Sequence, residues 1–180
     1  VVPSDTTLPV AGGLPLTKFR VPRQRRDTVR RDRLLAELRR KIEDHPVTLV
    51  CAPAGSGKST LLAQLLDSTR PDEAGVWVEL DDHDSDPARL LATLVQSLLP
   101  LELSWEADPR ALVANVQGTG TEARAVLAGL VNALCTSRAS RVIWVLDDLH
   151  RIRETATIGL LEALIERLPE HVALVLGSPT

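Results

Sequence analysis

Two short stretches carry side chains whose types and spacing could do chemistry. The first is Ala52-Pro53-Ala54-Gly55-Ser56-Gly57-Lys58-Ser59-Thr60, which follows the apolar run Val47–Cys51. Ala52, four residues, then Gly57-Lys58-Ser59 matches the spacing of a phosphate-binding loop, with Ala in place of the first Gly. A polyphosphate packs several negative charges into a small volume, and backbone N–H groups at a helix start point their positive ends at it. Gly55 and Gly57 let the backbone of Ala54, Gly55, Ser56 and Gly57 curl around such a group where a Cβ would obstruct. Lys58 is then placed to neutralise the outer phosphates, Ser59 to ligate Mg²⁺, and Thr60 to reach the innermost phosphate.

The second stretch is Leu146-Asp147-Asp148-Leu149-His150, at the end of the apolar run Val142–Leu146. A run with no polar interruption implies a strand buried on both faces. A carboxylate at its C-terminal end lies at the crevice where open α/β sheets bind ligands. Asp147 would hold Mg²⁺ through water, and Asp148 would polarise an attacking water as a general base. His150 has two open readings: orienting phosphate or water, or holding the loop by local hydrogen bonds.

Strands and helices must position these groups. Leu34, Leu35, Leu38 and Ile42 recur at helical spacing and predict a helix over roughly 31–43, closed by Pro46. Leu61, Leu62, Leu65 and Leu66 continue the helix that opens on Lys58. Residues 76–80 read as a second strand running into Asp81-Asp82-His83-Asp84-Ser85-Asp86. A calcium loop starting at Asp82 would need Gly and Glu where Pro87 and Thr93 stand, so the acidic cluster is not one. Asp86-Pro87 predicts an N-cap and first helical residue, and Asp108-Pro109 repeats the signature before a short helix with Leu112, Val113 and Val116. Gly118-Thr119-Gly120 reads as a turn. Further helices are expected over 123–135 and through Ile158, Leu161, Leu164, Ile165 and Leu168, with a last buried strand over 172–176.

Composition narrows the class. The 180 residues suffice for one domain with a substantial core, and 44% apolar with 25% charged residues is ordinary for a globular protein. A net charge of −3 offers no global argument for nucleic acid. Eleven of the 21 basic residues nevertheless crowd between Lys18 and Lys41. They read as a solvated face, as a group near the phosphate site, or more weakly as a DNA contact, since only Phe19 accompanies them. Cys51 and Cys135 look like small buried hydrophobes, without metal or disulfide spacing, which fits a reducing cytoplasm. No apolar run approaches the ~20 residues of a membrane helix. Residues 1–15 read as a flexible tail or linker and 16–180 as the folded core. With no Met, the chain reads as an excerpt of something longer.

On these residues the chain resembles the nucleotide-binding domain of the large ATP-binding LuxR-type regulators, the maltose-regulator-like branch of the STAND class of P-loop NTPases. The likeness runs over most of 16–177. It rests on Thr17 to Arg23, on Val29, Arg31, Arg33 and Leu34, on the 52–60 loop, on Leu80-Asp81 to Asp86-Pro87, and on Leu146 to His150. The resemblance implies an α/β, three-layer α/β/α P-loop NTPase fold with a parallel sheet of ASCE type. It implies strand order 2-3-4-1, with a fifth strand from sequence after Thr180; without that strand the loop strand is an exposed apolar edge. It implies ATP or ADP with Mg²⁺ as cofactors, Val29 and Arg31 beside the adenine and ribose, and a slow ATPase acting as a switch in transcriptional control. The implied partners are further domains of the same protein, possible self-association, and DNA only through a domain outside this chain. Relatives carry an Arg after the Ser that ends the fourth strand; here Pro179 follows Ser178. That departure keeps a non-catalytic nucleotide-binding module open as an alternative. A small-molecule kinase fits less well, because no lid with arginines is visible.

Overall fold

Alternation organises the sheet. In the computed structural model Val142, Trp144 and Leu146 face one layer of helices, while Ile143 and Val145 face the other. This is the period of two that a strand imposes, with apolar residues on both faces because both are covered. The structure describes residues 14–24, 28–114 and 116–180. Most of the expected tail, and Arg25, Arg26 and Asp27 of the basic stretch, lie outside the described residues. Leu14, assigned to that tail, is buried.

The elements in order are α1 (Asp32–Asp44), β1 (Val47–Cys51), α2 (Lys58–Asp67), β2 (Glu73–Glu79), α3 (Pro87–Leu98), α4 (Pro109–Ala114), α5 (Thr121–Cys135), β3 (Arg141–Asp147), α6 (Thr155–Ile165) and β4 (Val172–Ser178). Short 3₁₀ turns at Leu16–Phe19, Asp82–Ser85, Leu99–Leu101 and Leu149–Arg151 join them. The four strands form one parallel sheet in the order β1-β4-β3-β2, as the resemblance implied. Helices α1 and α2 pack with Trp77, Ile143, Val145, Ala173 and Val175 on one face, and α3, α5 and α6 cover the other. The arrangement is the three-layer α/β/α sandwich.

Several boundaries follow the expected signals. Asp86 accepts from the Arg89 N–H at 2.8 Å and Pro87 opens α3, so the cap forms where the sequence placed it. β2 begins three residues before Val76, because Glu73, Ala74 and Gly75 pair with Arg141, Val142 and Ile143. Their weak strand propensity hid that extension. Gly75 packs close under α2, where an added Cβ would lie 3.2 Å from the end of the Leu66 side chain. Val116 and Leu168 fall just outside the helices expected to hold them.

The cysteines are a correction. Both Cys51 and Cys135 are exposed, because β1 is a sheet edge and Cys135 closes the outer side of α5. The same edge leaves Leu49 57% exposed. No described helix is long and apolar enough to cross a membrane.

Candidate functional site

The two chemical stretches meet at the C-terminal ends of β1 and β3. β1 delivers the chain into the loop, and the Ala52 N–H donates to the Ser178 carbonyl at 3.3 Å, fastening the loop to the end of β4. The Ser56 N–H donates back to the Pro53 carbonyl at 3.1 Å and closes a turn. Gly55 (φ 77°) and Gly57 (φ 87°) then take the left-handed conformation that favours glycine. Gly57 is the N-cap of α2 and offers no side-chain cap, so the first N–H groups of that helix are left for another partner. The Ser56 hydroxyl is buried beside them with no hydrogen-bond partner.

Lys58 turns back from α2 to β3. Its ammonium donates to Asp147 Oδ1 and lies 3.5 Å from Asp148 Oδ1. Asp147 is buried, and its Oδ1 also accepts from the Asp148 N–H at 3.0 Å. Gly177 of β4 makes room for it, since an added Cβ would overlap Asp147 Oδ1 outright and touch Leu62 at 3.0 Å. Asp148 adopts φ 60°, a left-handed turn that Asp tolerates better than most residues. His150 Nδ1 lies 3.9 Å from Asp148 Oδ1, beyond hydrogen-bond reach.

A cleft of about 440 Å³ opens over these groups. Ala54, Gly55, Gly57, Lys58, Ser59 and Thr60 line one side, and Asp148, His150 and Pro179 the other. Of the residues singled out from sequence, Ser56 sits behind this wall and Asp147 beneath it, gripping Lys58. Val29 and Arg31 do not line the cleft. Val29 is 76% exposed, and Arg31 reaches the loop from outside, its guanidinium 3.3 Å from where a Gly57 Cβ would be. Gln64 holds this segment on α2: its amide donates to the Val29 carbonyl at 3.2 Å and its carbonyl accepts from the Arg31 N–H at 3.4 Å. Sequence reasoning passed over Gln64, although a polar residue among Leu61, Leu62, Leu65 and Leu66 was a signal.

Lys18 was missed as well. It is 4% exposed and pairs with Asp81 at 2.6 Å and with Asp84, so it is not part of a solvated basic face. Asp84 also accepts from Thr93 Oγ1 at 2.7 Å and from the Asp81 N–H at 2.8 Å. The acidic cluster therefore serves a buried lysine and a pair of caps. Burial pushes the Asp81 carboxyl up, but the Lys18 hydrogen bond and charge outweigh it and hold the group below the usual carboxylate range. Among the described residues, no group of three or more His, Cys, Asp or Glu converges as a metal site.

The chain is 30% identical over 164 residues to the HTH-type transcriptional regulator MalT of Serratia proteamaculans, covering 91% of this chain and 17% of that protein. It is 29% identical over 165 residues to the serine/threonine-protein kinase PknK of Mycobacterium tuberculosis, covering 91% of this chain and 14% of that protein. The chain thus spans 14–17% of the length of these curated relatives, which are larger proteins. Among solved structures, the Walker-type ATPase PABY2304 of Pyrococcus abyssi shares the fold, with a TM-score of 0.57 at 16% identity over 86% of this chain and 46% of that one. The family described as AAA ATPase domain matches residues 27–176, and with that match the chain belongs to the AAA ATPase domain family.

Proposed function

We propose that this domain binds ATP and ADP with Mg²⁺, hydrolyses ATP slowly, and serves as a cytoplasmic switch within a larger signal-transducing regulator, most plainly a transcriptional one. The observation that carries the reading is the bridge from Lys58 to Asp147 and Asp148 across a cleft walled by uncapped helix N–H groups. The site fits a nucleotide polyphosphate on three counts. Its free donors sit at a helix start, the buried Ser56 hydroxyl lies on the loop without a partner among the described residues, and its lysine is held by carboxylates that a triphosphate would compete with.

Each residue then has a part. The N–H groups of the 54–60 loop receive phosphate oxygens, Lys58 neutralises the outer ones, and Thr60 donates to the innermost. Ser59 and Asp147 would hold Mg²⁺, which supplies charge neutralisation between phosphates. One carboxylate is enough for that ion because phosphates and waters complete its shell. Asp148, released from Lys58, faces the cleft as the base for an attacking water. Arg31 and Val29 flank the loop on the side where the nucleoside would lie.

The two relatives support a module reading. One is named a kinase and the other a transcriptional regulator, and each matches 91% of this chain. What they share with this chain is the matched region, while the outputs their names describe differ, as expected of a common nucleotide module. A switch of this kind works only by differential affinity of nucleotide for two states of the larger protein.

Pro179 favours a second reading. It lines the cleft where the resemblance expects an arginine, and a proline brings neither charge nor donor. The domain would then bind nucleotide without turning it over. Calorimetric titration with MgATP and MgADP, alongside Lys58→Ala, decides first. Both nucleotides are expected to bind and the variant is not; unchanged affinity in Lys58→Ala would sink the site. Phosphate release from the nucleotide-bound protein then separates switch from silent module.

A further inference from the structure

The segment 148–153 carries two cleft residues, Asp148 and His150, yet it holds only one 3₁₀ turn of its own. Its start is anchored at the phosphate loop through Asp147 and Lys58. Its far end is anchored by a residue outside the cleft. Ser85 Oγ donates to the Arg151 carbonyl at 2.9 Å and accepts from the Arg153 N–H at 2.9 Å. The Ser85 carbonyl accepts from the buried Thr157 hydroxyl at 2.5 Å, and Asp82 accepts from Arg151 at 3.3 Å.

The Asp82–Ser85 turn is in turn fixed from the opposite side. Asp81 caps it, accepting from the His83 N–H at 2.9 Å, and Asp84 accepts in return from the Asp81 N–H. Both carboxylates are gripped by Lys18 of the Leu16–Phe19 turn, the first described element of the chain. A path therefore runs from Lys18 by ion pair to Asp84, along the backbone of the turn to Ser85, and by the Ser85 hydrogen bonds to the loop beside the cleft.

We propose that Ser85 is a positioning residue for the 148–153 loop, and that Lys18 couples the N-terminal 3₁₀ turn to it. Anything that draws Lys18 out of its carboxylates loosens the Asp82–Ser85 turn, and with it the placement of Asp148 and His150. The regulation this describes rests on the cleft being the nucleotide site, but the positioning itself does not.

Hydrogen–deuterium exchange resolved by peptide tests it on the whole chain. Ser85→Ala removes two hydrogen bonds of modest net worth, so exchange across 148–153 is expected to rise about tenfold. Exchange across α5 stays at the wild-type rate, and Ser85→Thr, which keeps the hydroxyl, restores the loop. Lys18→Met is expected to raise exchange at both 82–85 and 148–153. Should that variant unfold, Thr93→Val strips one bond from Asp84, leaves the ion pairs, and reads the same coupling. Unchanged exchange across 148–153 in Ser85→Ala overturns the positioning role. A rise at 82–85 that stops short of 148–153 in the Lys18 or Thr93 variant overturns the coupling. With ATP, Ser85→Ala should lower kcat severalfold at unchanged nucleotide affinity. A wild type that binds ATP without turnover would remove the hydrolysis reading alone and leave the exchange result to decide this one.

Discussion

Two lysines in this domain each sit between a pair of aspartates at the C-terminal end of a strand. Lys18 joins Asp81 and Asp84 after β2, and Lys58 joins Asp147 and Asp148 after β3. The chemistry is the same and the setting is not. Around Lys18 the arrangement is closed: Asp84 is fully buried and takes further bonds from Thr93 and the Asp81 backbone. Around Lys58 it is open, because Lys58 and Asp148 form part of a cleft wall and Asp148 stands in a left-handed turn. A clamp built around a fully buried, fully bonded carboxylate holds structure, while one that walls a cleft can trade its partner for a ligand.

The largest effect should come from breaking the closed clamp. Lys18→Met leaves the Asp84 carboxylate buried without its counter-charge and is expected to cost about 3–5 kcal/mol of unfolding free energy. Lys58→Met is expected to cost less, about 1–3 kcal/mol, since water in the cleft can reach Asp148 while the buried Asp147 keeps the hydrogen bond from the Asp148 N–H. Denaturant unfolding compares the two directly. In the same samples MgATP should raise the melting temperature of the wild type and not that of Lys58→Met. Equal destabilisation by both substitutions would mean that the two clamps are alike and that the open one has no spare capacity for a ligand.

The open clamp was legible in the sequence and the closed one was not. Lys58 lies in the spacing of a phosphate-binding loop, and Asp147 ends an apolar run that reads as a buried strand. Both stand out, although the ion pair between them does not. Lys18 stands in a basic stretch that reads as solvated, and its partners lie 63 and 66 residues away in the chain. Only the packing of the first 3₁₀ turn on β2 brings them together. Gln64 and Ser85 escaped notice for the same reason, because each is an ordinary polar residue until the backbone groups it holds are in place. Cys51 shows a different limit. An apolar strand looks buried wherever it occurs, and whether it is central or at an edge depends on strand order, which periodicity does not contain. The order itself followed from the family resemblance and not from the pattern of any one strand.

Acid should act on the closed clamp before neutral pH touches it. The Asp81 carboxyl is held below its ordinary range, so its folded form binds its proton less readily than the unfolded chain does. The stability this supplies is complete above the unfolded carboxylate pKa, about 3.9, and is lost as pH falls through the lower folded value. Unfolding free energy is therefore expected to hold steady down to about pH 5 and to drop below about pH 4. Glu73 contributes with the same sign: burial opposes its charge, but the Arg70 N–H and the Arg39 side chain outweigh it. Lys18→Met should flatten the Asp81 share of the acid slope and keep the Glu73 share. A slope unchanged by that substitution would show that Asp81 does not depend on Lys18.

The smallest effect on stability should carry the sharpest contrast in function. Asp81 and Asp148 are the partly exposed members of their clamps, so neutralising either one costs little, about 1 kcal/mol or less for each. Asp81→Asn keeps an oxygen that can still accept from the His83 N–H, and phosphate release should stay near the wild-type rate. Asp148→Asn removes the proposed base, so ATP should bind as before while phosphate release falls by a factor of about 10² or more. The pair separates two meanings of a carboxylate beside a lysine. If the two variants turned over ATP equally, Asp148 would be no more than a second structural partner for Lys58, and the base would have to be sought among the other groups facing the cleft, with His150 first.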